Sequence, residues 1–260
     1  MAIVRAHDGE DVYYEVHGDG PVVLLGSADP RPPDHPLREE VLRSCRTLID
    51  GLADRYRVVV MSYPGRPKPQ TLTPDNVTED LLTIADAVDA EEFAWWGYSW
   101  GGVAGLQLAV RTDRLTALAM TGFPPLGGPY AAMLRYAGLL AEVDVDAMGA
   151  PIPPAAREQL PQFVTYYEAL QGFDDRAAQP ILTCPRMCFV GGADEITAGS
   201  EPIAHLGTTV AERREELIDF GWEVEVIAGL DHFGAAEPEV VLPRLGAFLD
   251  RHLLGATSPR

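Results

Sequence analysis

Apolar residues along this chain follow two rhythms that take turns. Short, nearly continuous apolar runs occur at Pro21–Leu25, Arg57–Met61 and Arg186–Val190, while Phe93–Trp96, Leu115–Thr121 and Glu223–Ile227 predict three further strands. Runs of this length, rich in valine, predict strands buried on both faces. Asp11–His17 alternates weakly and predicts a further strand, closed by a turn at Gly18–Gly20. Between these runs the spacing changes to three and four. Leu37 to Asp54, for example, places Val41, Leu42, Cys45, Leu48, Ile49 and Leu52 on one side. The same spacing predicts helices from Thr73 to about Asp89, at Val103–Arg111, at Glu201–Phe220 and at Glu239–Leu254. Strands alternating with helices predict an α/β fold, a mostly parallel sheet covered by helices on both faces.

One stretch breaks the alternation. Phe123 to Pro180 carries prolines at 124, 125, 129, 151, 153, 154 and 161, with helical spacing at Tyr130–Leu140 and Ala155–Leu170 and no strand pattern. It has too few apolar residues for a core of its own. The expected organisation is a core of residues 1–122 and 181–260, with 123–180 inserted as a helical lid over the site. Phe123, Tyr130, Met133, Phe163 and Tyr167 are candidates to line an apolar substrate pocket there, together with Tyr98.

Composition narrows the function classes. Twenty Lys and Arg against 39 Asp and Glu give a formal charge of −19, which disfavours nucleic acid and anionic membrane as partners. No run approaches the ~18 apolar residues of a membrane span. The first residues show no signal-peptide pattern, and the three cysteines are an odd number, so a cytoplasmic location is expected. Cys184 and Cys188 have no cluster of further ligands beside them, and neither a metal nor a cofactor is expected. The oligomeric state is not legible.

The sharpest chemical signal is Gly97-Tyr98-Ser99-Trp100-Gly101, set between a predicted strand and a predicted helix. A sharp strand-to-helix turn strains its central residue and projects that side chain at the end of the sheet. Glycines on either side let neighbouring backbone approach closely. The competing reading is a glycine-rich turn whose serine merely caps the helix. A serine hydroxyl is a poor nucleophile, so it needs a base, and the base needs an orienting acid. Both are sought just past strand ends: Asp194 follows the Phe189-Val190 strand, and His232 follows the last one. Glu195 and Asp231 are rival acids. His7, His17, His35, His205 and His252 are less favourably placed as bases.

Through these residues the chain resembles the α/β-hydrolase family over nearly its whole length. The resemblance extends from the strand before Gly26 to the elbow at Ser99, the Gly-Gly-x-Asp ending at Asp194, and His232. It implies an acyl-enzyme mechanism with an oxyanion hole made by the backbone N–H groups of Trp100 and Ser27. Leu25-Gly26 stands where the family usually has His-Gly, but the donor is a backbone group, so the substitution leaves it available. The implied substrate is a small-molecule ester or acyl compound. Hydrolysis of a carboxylic ester or lactone leads. Thioester hydrolysis or acyl transfer in a biosynthetic pathway, a cofactor-independent peroxidase-like activity, and a non-catalytic binding module on the same scaffold are the alternatives.

Overall fold

A computed structural model describes residues 2–32, 37–65, 70–142, 157–158, 160–198 and 201–255. The chain runs β1 (Ala2–Arg5), β2 (Asp11–His17), β3 (Val22–Leu25), α1 (Arg38–Leu52), β4 (Arg57–Met61), α2 (Pro74–Ala87), β5 (Phe93–Tyr98) and α3 (Trp100–Arg111). It continues with β6 (Leu115–Thr121), α4 (Tyr130–Glu142), α5 (Leu160–Ala169), α6 (Asp175–Ala178), β7 (Arg186–Gly191), β8 (Glu195–Ala198) and β9 (Glu201–His205). The last elements are α7 (Leu206–Glu212), α8 (Arg214–Asp219), β10 (Trp222–Ile227) and α9 (Pro238–Leu249).

Eight strands form one sheet in the order β1-β2-β4-β3-β5-β6-β7-β10. From β4 to β10 every neighbouring pair is parallel, while β2 runs antiparallel to both β4 and β1. Period-two alternation divides the core. Val23, Leu25, Val58, Val60, Trp96 and Phe189 face the layer of α1 and α9, where Leu48, Leu52, Leu245 and Phe248 meet them. Leu24, Val59, Trp95, Leu118 and Val190 face the layer of α2 and α3. Both faces are therefore covered, and the continuous apolar runs follow from that. Met133, Ala137, Tyr166 and Tyr167, from α4 and α5, belong to this second layer's cluster. Thr73 starts α2 by accepting a hydrogen bond from the Asn76 N–H, with Pro74 in the first turn.

Three features depart from the sequence reading. Strand β1 was not foreseen, because its four residues are largely exposed and too few to show a period. The predicted helix at Glu201–Phe220 begins only at Leu206. Glu201–His205 instead pairs antiparallel with Glu195–Ala198, burying Ile196, Ile203 and Ala204, so tertiary packing overrides local spacing. The short helix α6 was also unforeseen. Residues 143–156 and 159, the start of the helix expected from Ala155, and His35 lie outside the described residues. Among the described residues, no helix is long and apolar enough to cross a membrane.

Candidate active site

The site is built at the carboxyl ends of β5, β7 and β10. Strand β5 ends at Tyr98, and α3 begins at Trp100, leaving a single residue to make the turn. That residue, Ser99, takes φ 54° and ψ −118°, a conformation that non-glycine residues rarely adopt. The flanking glycines make the turn sterically feasible. A methyl group on Gly97 would lie 2.1 Å from the Gly101 carbonyl oxygen, and one on Gly101 would lie 2.3 Å from Ser27 Oγ. Ser99 occupies the position before α3, yet its side chain makes no capping hydrogen bond. Its hydroxyl lies 3.0 Å from His232 Nε2 instead, which disfavours the capping reading.

His232 is held on its other nitrogen, with Nδ1 2.8 Å from Asp194 Oδ1. An ionised carboxylate only accepts, so Nδ1 carries the proton and donates it, and Nε2 of the neutral ring is left to accept from the Ser99 hydroxyl. Asp194 and His232 are both buried. The arm that carries Asp194 is fixed by its backbone: the Asp194 N–H donates to Gly191 O, and its carbonyl accepts from the Gly207 N–H of α7. The rival acids are engaged elsewhere. Glu195 Oε1 lies 2.7 Å from His205 Nδ1, and Asp231 Oδ1 accepts from the Gly234 N–H.

Tyr98 and Ser27 frame the serine. The Tyr98 ring packs against His232, with centroids 4.8 Å apart, and does not line the adjoining cavity. Burial, and then the nearby Asp194 and Asp231, push its hydroxyl well above the ordinary tyrosine range. Ser27 Oγ accepts from the Tyr98 N–H at 2.8 Å and donates to the Tyr98 carbonyl at 3.2 Å. This hydroxyl extends the β3–β5 ladder past its last backbone pair, Leu25 with Trp96. Among the described residues the backbone N–H groups of Trp100 and Ser27 have no hydrogen-bond partner.

An apolar cavity of about 180 Å³ opens beside Ser99, lined by Trp100, Met133, Tyr136, Ala137, Leu140, Leu160, Phe163 and Tyr167. Of the pocket candidates, Met133, Phe163 and Tyr167 lie in this lining. Phe123 and Tyr130 do not: they pack on each other, and Tyr130 also packs on Phe173. Ala137, Leu140, Leu160 and the Trp100 indole were missed. The two in α4, Ala137 and Leu140, could have been found, because Met133, Tyr136, Ala137 and Leu140 repeat at three and four and so share one face. Trp100 packs edge-on against Phe163 and Tyr166 and stacks on Tyr63. Cys184 and Cys188 are buried, and burial raises both thiols. Among the described residues no group of three His, Cys, Asp or Glu is placed to hold a metal ion.

A doubly covered parallel sheet with a serine on a strained strand-to-helix turn is the architecture of hydrolases of the α/β type. The chain belongs to the alpha/beta hydrolase family, whose model matches residues 16–244. It is 29% identical over 121 residues to the protein of Azorhizobium caulinodans named "Putative carbamate hydrolase RutD", covering 44% of this chain and 42% of that protein. The match thus spans about two fifths of that relative's length. Among solved structures, a hydrolase from Pseudomonas aeruginosa superposes with TM-score 0.67 at 20% identity, covering 95% of this chain and 97% of that one. A thermophilic esterase from Thermogutta terrifontis gives 0.66 at 19% identity, covering 97% and 100%. At these identities the structural likeness is one of fold.

Proposed function

We propose that this protein is a serine hydrolase that cleaves a small carboxylic ester or lactone through an acyl-enzyme on Ser99. The observation that carries the reading is the unbroken relay from Ser99 Oγ through His232 to Asp194, at 3.0 and 2.8 Å. Ser99 attacks the carbonyl carbon while His232 Nε2 takes its proton. Asp194 holds the imidazole in the right tautomer and stabilises it once charged. Negative charge develops on the carbonyl oxygen and is met by the Trp100 and Ser27 N–H groups. His232 then protonates the departing alcohol, and a water activated by the same histidine releases the acid. The 180 Å³ cavity is below the ~300 Å³ at which drug-sized pockets begin, so it suits a short acyl chain. Residues 123–180, through α4 and α5, act as a helical lid on a core of 1–122 and 181–260.

The partial similarity to the carbamate hydrolase relative supports a second reading, cleavage of a carbamate, which uses the same groups on a C–N bond. The test is labelling with a fluorophosphonate, followed by turnover of short p-nitrophenyl esters, matched thioesters and matched carbamates. Wild type should label at Ser99 and prefer the ester. Ser99→Ala should fold, fail to label, and lose turnover by about 10⁴-fold or more. A preference for the carbamate selects the second reading, and a preference for the thioester selects thioester chemistry. A wild-type protein that neither labels nor turns over any of the three is a binding module.

A further inference from the structure

Two consecutive tryptophans, Trp95 and Trp96, stand in β5 just before the elbow, and both are almost completely buried. Alternation along the strand sends them to opposite layers. The Trp96 indole N–H donates to Thr121 Oγ1 at 3.0 Å, and the Thr121 carbonyl accepts the Ser99 N–H at 2.8 Å. The Trp95 indole makes a wider set of contacts. Its N–H donates at 3.0 Å to the carbonyl of Gly101, in the first turn of α3. Its six-membered ring lies against Gly26, where a methyl group would be 2.0 Å from Cζ2 and 2.2 Å from Cη2. Its five-membered ring lies against Gly105, where a methyl group would be 2.4 Å from both Cδ1 and Nε1.

One side chain thus accounts for two glycines, one in the loop after β3 and one in α3. Gly26 directly precedes Ser27, and Gly101 directly follows Trp100. The groups that Trp95 touches therefore adjoin both of the N–H donors proposed for the oxyanion. A tryptophan that only filled this layer would not need two glycines cleared to admit it. The fused ring does not bend, so contact at both of its ends fixes how far the loop stands from the helix. Such placement matters, because a donor displaced by about 1 Å can cost about 10²-fold in rate.

We infer that Trp95 is a positioning residue for the oxyanion hole, its indole being the spacer that sets the separation of the Ser27 and Trp100 N–H groups. The inference rests on the serine-hydrolase reading and deepens it. Trp95 does not line the apolar cavity, and it acts through Gly26 and Gly101. The experiment measures kcat and KM for p-nitrophenyl butyrate on wild type, Trp95→Phe, Gly26→Ala and the double variant, with folding checked by circular dichroism. Phenylalanine keeps a ring in the layer but loses the indole N–H and the reach to Gly26.

Each single variant should lower kcat by about 10²-fold, the scale of a misplaced oxyanion donor, with KM within a few-fold of wild type. The double variant should recover about tenfold or more over Gly26→Ala, because the shorter ring makes room for the methyl group. Butaneboronic acid, whose charged tetrahedral adduct on Ser99 uses both donors, should lose affinity in step with kcat, while inhibition by neutral butyramide stays unchanged. A folded Trp95→Phe with kcat near wild type overturns the inference and leaves the hydrolase reading standing. So does a double variant no better than Gly26→Ala, or an equal loss of affinity for the boronic acid and the amide. No hydrolysis by the wild type overturns both readings. Should Trp95→Phe fail to fold, Gly105→Ala displaces the indole from the α3 side. It should lower kcat by about tenfold or more with KM kept, and an unchanged kcat overturns the inference.

Discussion

The two arms that meet at His232 are built on different scales. The elbow is a local object: the close approaches that shape it are between Gly97 and Gly101, four residues apart, with Ser27 Oγ pressed on the second. The acid arm is assembled from afar. Gly191 packs on the Leu230 carbonyl, the Ala193 N–H donates to Leu230 O, and the Gly207 N–H donates to Asp194 O. A local turn can be recognised from a short motif, whereas the acid arm depends on where β8, β9 and α7 settle. The elbow should therefore fail abruptly when its sterics are violated. The acid arm should tolerate changes that leave its backbone hydrogen bonds in place.

Four measurements break or sharpen that contrast. The largest effect belongs to Asp194→Asn, which keeps the arm's shape but reverses one donor–acceptor pairing. It should lower kcat by about 10⁴-fold with little change in KM, and a steady-state assay on a p-nitrophenyl ester reads it. If the fall is tenfold or less, Asp194 is not the orienting acid. Next comes Gly97→Ala, whose methyl has only 2.1 Å to the Gly101 carbonyl oxygen. It should destabilise the protein by about 3 kcal/mol or more, since overpacking against backbone has little room to relax. Urea unfolding followed by circular dichroism checks it, and a stability equal to wild type would mean that the elbow is looser than described.

Ser99→Gly acts in the opposite direction. Glycine accepts the positive φ that serine resists, so stability should rise by about 1–3 kcal/mol while turnover is lost. A thermal melt showing no gain would mean that Ser99 carries no backbone strain. The smallest effect is expected from Glu195→Gln. Its pairing with His205 is about half exposed, with side-chain exposures of 47% and 53%, so stability should change by less than about 1 kcal/mol. Turnover should stay within a few-fold of wild type. A crippled Glu195→Gln beside an active Asp194→Asn would exchange the roles of the two carboxylates.

How much was legible follows the same division. The strands Arg57–Met61, Leu115–Thr121 and Arg186–Gly191 could be read because a sheet covered on both faces requires continuous apolar runs. The β8–β9 hairpin could not, because Glu201–His205 adjoins a true helix and its own spacing does not oppose one. Its pairing with Glu195–Ala198 is a tertiary fact. At the site, chain order and motif were enough to select Ser99, Asp194 and His232 as candidates, and the structure brings their side chains together. The cavity lining was less legible. Phe123 and Tyr130 have the right chemistry but are absorbed into an aromatic cluster, whereas the smaller Ala137 borders the cavity. Which residues line it depends on how α4 and α5 sit over the sheet, and local sequence does not carry that.

The Ser27 hydroxyl, bonded to both the N–H and the carbonyl of Tyr98, acts as a splice between the loop after β3 and the turn that bears Ser99. The two N–H groups proposed for the oxyanion, those of Ser27 and Trp100, are thereby tied to each other through the sheet, while Phe163 and Tyr166 of α5 pack on the Trp100 ring. This makes the site modular. On the proposed mechanism, cavity-lining residues such as Met133, Leu140 and Leu160 can be recut for acyl chains of other shapes while the Ser27–Tyr98 bonds keep the proposed oxyanion donors in place. Among descendants of this chain, selectivity should therefore drift through α4 and α5 long before the Ser27–Tyr98 splice is altered.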